Sequence, residues 1–134
     1  MYKIALRNGS PVNVGQMMEL PKSTIMEPGM LVCIVDGQAQ QITLGLCPDA
    51  IVSAVNGDLA TVMLLGEDII LEAEVTTGSS SDFAALAAGK IYNAASEGVS
   101  IGEEGVYCQV IDTLDAKKQG DKILVRFIKV SQKG

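Results

Sequence analysis

Val52-Ser-Ala-Val55, Asn56-Gly57, Asp58-Leu-Ala-Thr-Val-Met-Leu-Leu65, Gly66-Glu-Asp68, Ile69-Ile-Leu-Glu-Ala-Glu-Val75 is the stretch whose reading decides the fold class. Three apolar runs of strand length, rich in Val, Ile, Leu and Thr, are divided by two turn signals. Asn56-Gly57 is a pair that type I′ hairpin turns favour, because both central residues need positive φ. Gly66-Glu67-Asp68 offers a second, looser turn before Ile69. From Leu71 to Val75 apolar and acidic residues alternate, the period of a strand with one wet face. Val62 to Leu65 lacks alternation and reads as covered on both faces. The expectation is a meander of three strands at the centre of a small β-domain.

Working outward, Met30 to Val35 is a continuous apolar strand, and Asp36-Gly37 is another two-residue hairpin signal. The return strand, Gln38 to Leu44, alternates, and Gly45 to Asp49 with Pro48 connects to the meander. Residues 1 to 29 are the least regular. Lys3 to Arg7 reads as a short strand, Asn8 to Pro11 as a turn cluster and Val12 to Val14 as a brief extended piece. Pro11, Pro21 and Pro28 block a long helix and a central strand. Met17, Met18, Leu20, Ile25 and Met26 follow no regular period, which suits an N-terminal segment lying on something. That something is either its own body or a neighbouring chain.

After Val75, Thr76 to Ser81 reads as a polar loop. Asp82 as N-cap, Phe83 to Ala88 as interior and Gly89 at the end predict one short helix, with Phe83 and Leu86 on a common face. Lys90 to Ala94, Val106 to Ile111 and Lys122 to Val130 read as strands; Ser96 to Gly105 and Asp112 to Asp121 read as turns and loop. The whole predicts a mainly β chain: a small β-barrel or sandwich of hairpins with one short helix and an irregular N-terminal arm. The division is an extended arm over residues 1 to 29 and a β-rich body over residues 30 to 134.

A chain of 134 residues is one domain by size. With 48% hydrophobic and 19% charged residues it is far from disordered composition. So apolar a chain is expected to hide surface in a subunit interface. The net charge of −6 disfavours nucleic acid as a partner, since phosphate contacts rely on Lys and Arg. No signal-peptide pattern and no membrane-spanning apolar run is visible. Cys33, Cys47 and Cys108 read as reduced, buried small hydrophobes. There is no His and no close Cys pair, so no metal or cofactor is expected. Ser79, Ser80 and Ser81 have no base nearby, and Asp49, Asp58, Asp68, Asp112 and Asp121 sit at turns, where Asp bonds its own backbone. No acid–base constellation points to an enzyme. What remains is a surface for association, and scarce charge favours symmetric contacts between copies.

The order of an apolar strand (Leu59 to Leu65), a tight turn into Ile-Leu-Glu-Ala-Glu-Val75, a Thr/Ser/Gly loop, a small helix ending in Ala-Ala-Gly89-Lys-Ile-Tyr92 and a last hairpin from Tyr107 to Phe127 resembles the head decoration, or capsid cement, proteins of tailed bacteriophages. The Met30 to Gly45 hairpin is similar to their first hairpin. The resemblance covers about residues 28 to 130 by pattern. It implies a non-catalytic body on the outer surface of an expanded capsid, made in the host cytoplasm, often trimeric, and bound to the major capsid protein. It also implies an arm, here residues 1 to 29, with Met17, Met18, Leu20, Ile25 and Met26 as candidate contacts. Two rivals are another phage structural component, such as a tail-tube or head-completion protein, and a small-ligand-binding β-barrel module.

Overall fold

The computed structural model describes residues 1–7, 10–11 and 15–128. In chain order the strands are β1 (Tyr2–Ile4), β2 (Leu6–Arg7), β3 (Ser10–Pro11), β4 (Met17–Pro21), β5 (Leu31–Val35), β6 (Gln38–Gln41), β7 (Ala50–Asn56), β8 (Leu59–Leu64) and β9 (Leu71–Thr77). The helix α1 (Ser80–Ala85) follows, then β10 (Ile91–Ala94), β11 (Val99–Glu104), β12 (Cys108–Asp112) and β13 (Lys122–Phe127). The chain is mainly β with one short helix, as the sequence predicts. One sheet has the order β4-β8-β7-β5-β6, all antiparallel. The other runs β1-β9-β11-β10-β12-β13, and β13 returns to pair with β9, so five of its strands close a ring. β2 and β3 form a separate small ribbon.

Turn chemistry explains the hairpins of the first sheet. Val35 pairs with Gln38 across Asp36-Gly37, and both turn residues have positive φ (51° and 76°), as a type I′ connection needs. The β7–β8 turn differs from expectation. Asn56 pairs with Leu59, so the central residues are Gly57-Asp58, and of these only Gly57, at 62°, has positive φ. Glycine at the first central position is the type II′ arrangement. Ser53 is left over in the ladder, since Val52 pairs with Val62 and Ala54 with Thr61.

Val62 to Leu65 is covered on both faces, as its composition predicts. Val62 belongs with Ala60, Val52, Ala50, Val32, Ala39, Met26 and Met30 in a core inside the curl of the first sheet, with Leu64 packed on it. Met63 and Leu65 point the other way, into the larger core that the two sheets share. Fully burying one such side chain stabilises the fold by about 1.5–3 kcal/mol, which is why this run carries no polar residue.

The third run of the expected meander does not pair with the second. β9 pairs with β1, β11 and β13, all in the other sheet. The turn at Gly66 to Ile69, closed by the Ile69 amide donating to the Gly66 carbonyl (3.1 Å), redirects the chain, while Leu65 and Ile69 both enter the shared core. β11 falls in a stretch expected to be turns. Its Val99 and Ile101 are buried on alternate positions, and the glycines that flank it serve close approach: an added Cβ would stand 2.3 Å from the Thr76 side chain at Gly98 and 2.2 Å from the Tyr92 carbonyl oxygen at Gly105.

The helix begins earlier than predicted. Ser79 is the N-cap; its hydroxyl accepts from the Asp82 amide and the Asp82 carboxylate accepts from the Ser79 amide, a capping box. Asp82 is therefore the third helical residue, not the cap. The helix ends at Ala85 because Leu86 is already extended, short of the expected Ala88. Phe83 enters the shared core and Leu86 packs against it.

Within the N-terminal segment β1, β4 and Met26 are docked on the body. Tyr2 is 1% exposed and sits in the shared core, its hydroxyl donating to the Ala95 carbonyl (3.0 Å) and its ring 6.2 Å from that of Phe127. β4 is an edge strand, antiparallel to β8, and Pro21 closes it where no ladder donor is required. The expected extended piece at Val12 to Val14 lies outside the described residues.

Candidate interaction surface

The perturbed titratable groups have structural causes. Glu74 is held below the usual carboxylate range by a hydrogen bond from Lys122 (3.2 Å) across the β9–β13 ladder. Asp82 is lowered by the Ser79 amide it caps, and Asp121 by the amides of Lys117 and Lys118 in the last loop. Burial raises the thiols of Cys108 and Cys33 and the phenols of Tyr2 and Tyr92. The three cysteines are unbridged. Among the described residues no three His, Cys, Asp or Glu side chains gather in a way that could hold a metal, and no helix is long and apolar enough to cross a membrane.

The surface offers apolar contact instead. A cleft of about 420 Å³ opens between the two sheets. Its walls are Met1 to Ile4 of the ring sheet, Pro28 and Gly29, and Ile51, Val52, Ser53, Met63 and Met17 of the other sheet. A second hollow, of about 410 Å³ and more polar, lies between α1 and residues 113 to 117. Beside it Leu114 and Asp115 both hold positive φ (49° and 57°), supported by the Leu114 amide donating to the Asp112 carboxylate (2.9 Å).

The five residues singled out in the N-terminal segment have different fates. Met17 is 46% exposed and lines the cleft. Met18 and Leu20 share the opposite face of β4, because they pair with Val62 and Ala60. Met18 is partly open to solvent and Leu20 is packed on the first-sheet core. Ile25 is 82% exposed, its carbonyl accepting from the Gln41 side chain. Met26, 5% exposed, is a core residue. Of these five, Met17, Met18 and Ile25 are the exposed ones, and they do not form one face. The residues of the cleft that sequence reasoning missed are Tyr2, Lys3 and Ile4. A three-residue strand carries no period to read, and its place is set by partners more than 65 positions away.

No known family model matches the chain, and no curated protein sequence is significantly similar to it.

Proposed function

We propose that this protein is a non-catalytic decoration, or cement, protein of a tailed-bacteriophage head, binding the outer surface of the mature shell through contacts to the major capsid protein. The observation that carries this reading is the pairing of a two-sheet body with apolar surface left open at the sheet edge and the nearby loop, at Met17, Met18 and Ile25. Such a body suits adhesion without chemistry. Weak contacts repeated over a lattice add to strong overall attachment, and binding the expanded shell alone stabilises that state by mass action. A homotrimer fits the same reading, since symmetric association brings several copies of each weak contact to the shell together.

The test is co-sedimentation of the purified chain with expanded and unexpanded heads of the phage that encodes it. Binding to expanded heads only is expected. The double variant Met18→Glu, Ile25→Glu should lose at least tenfold in affinity with an unchanged melting curve. Equal binding by wild type and variant removes Met18 and Ile25 from the contact, and no binding to either form of head refutes the reading. Deleting the segment as a whole is uninformative, because Tyr2 and Met26 belong to the cores.

A further inference from the structure

The cleft between the sheets is bordered by main chain as well as side chains. Met1, Tyr2, Lys3 and Ile4 all line it. Successive strand residues point to opposite faces, so four in a row line one wall only where the backbone edge itself forms that wall. The hydrogen-bond phase agrees. Tyr2 stands opposite Ala73, and the Ala5 amide donates to the Ile70 carbonyl (2.9 Å). In an antiparallel ladder this puts Lys3 and Glu72 in a bonded pair and turns the amides and carbonyls of Tyr2 and Ile4 away from β9. The Tyr2 amide so turned donates to the Gly29 carbonyl (2.8 Å). Gly29 then leaves the edge, its own amide donating to the Val52 carbonyl (2.9 Å). Beyond it, no hydrogen bond from a described residue reaches the Ile4 amide or carbonyl.

The opposite wall ends in a second strand edge. The Leu64 amide donates to the Gln16 carbonyl (2.8 Å) and the Lys22 amide to the Asp58 carbonyl (3.0 Å). With Met17 opposite Met63, this phase turns the main-chain groups of Met17 and Glu19 outward from β8. The floor is Ile51, Val52 and Met63; Lys3 carries the one charged side chain of the lining, and the Met1 α-ammonium is paired with Glu74 (3.8 Å). Among the described residues the Lys3 ammonium forms no ion pair, although Glu72 is its cross-strand neighbour.

We propose that this cleft accepts an extended strand from a partner chain, an aliphatic segment carrying one carboxylate. The segment adds to β1 at Ile4, exchanging main-chain hydrogen bonds with its amide and carbonyl. Alternate side chains of the segment fill the apolar floor, and its carboxylate meets Lys3. A small apolar ligand would leave the edge groups of Ile4 unmatched, which is why a strand fits the site better. The inference concerns the cleft alone and does not depend on the surface at Met18 and Ile25 or on what shell they contact.

The experiment is a titration of the ¹⁵N-labelled full chain with a blocked peptide of alternating valine and threonine around one central glutamate. Expected are a downfield shift of the Ile4 amide, hydrogen exchange there at least tenfold slower, and binding at least fivefold weaker when lysine replaces the glutamate. Lys3→Glu should weaken the glutamate peptide and strengthen the lysine peptide, a reversal that unfolding cannot produce. An unchanged Ile4 amide at saturating peptide overturns the proposal. So does equal binding of a peptide with proline at its centre. Exchange at Ile4 that slows with protein concentration alone assigns the cleft to a second copy and likewise overturns it.

Discussion

Replacing Tyr2 with Ala is expected to remove a large part of the stability of this fold. The ring is 1% exposed, so its loss leaves a cavity in the shared core, a change that costs about 3–5 kcal/mol for large aromatic residues. Within that figure the tilted contact with Phe127 contributes about 0.5–1.5 kcal/mol and the hydroxyl bond to Ala95 about 1 kcal/mol. Domains of this size have roughly 5–15 kcal/mol in total, and each kcal/mol shifts the melting temperature by about 4 °C. The Ala variant should therefore melt about 12–20 °C lower. Tyr2→Phe, which keeps the ring and leaves the Ala95 carbonyl without its donor, should lose only about 1–2 kcal/mol. Urea unfolding followed by circular dichroism measures both. A Tyr2→Ala loss below about 1 kcal/mol would refute the reasoning, because it would mean that β1 is not part of the cooperative core and that the N-terminal segment behaves as a separable arm.

Alkaline pH should destabilise the protein. Burial raises the folded-state values of Cys108 and Tyr2, so their contribution is complete below the unfolded values, about 8.5 and 10, and is lost as pH climbs beyond them. The slope is about 1.4 kcal/mol per pH unit once Cys108 would ionise in the unfolded chain, and about twice that above pH 10. Urea midpoints from pH 7 to 10.5 check this, and Cys108→Ala should flatten the first part of the curve. Gly105→Ala should be more damaging than a loop substitution usually is, because an added Cβ would stand 2.2 Å from the Tyr92 carbonyl oxygen where the chain crosses β10. A melting temperature within about 2 °C of wild type would contradict that close approach. Ser79→Ala removes one half of the capping box and should cost about 1 kcal/mol, readable as faster amide exchange in α1 before any change in the sheets.

The sequence by itself determined the class of the fold, most of its strands and the turns at Asp36-Gly37 and Gly66 to Asp68. Asp36-Gly37 specified its hairpin because turn chemistry acts over four residues, and Val62 to Leu65 announced two covered faces because burial must show in composition. Ser79 could also have been read as a cap, since Ser-x-x-Asp is a capping-box pattern. Tertiary structure alone decided that β9 abandons β8 for the ring, that Val99 to Glu104 is a strand and that Tyr2 is a core residue. It also decided that Met17 and Met26, only nine positions apart, end in a cleft and a core respectively. The physical reason is range. A turn or a cap is satisfied by neighbours in the chain, whereas the choice of sheet is made by side chains packing on both faces at once and by backbone partners tens of residues away, such as Ala73 for Tyr2.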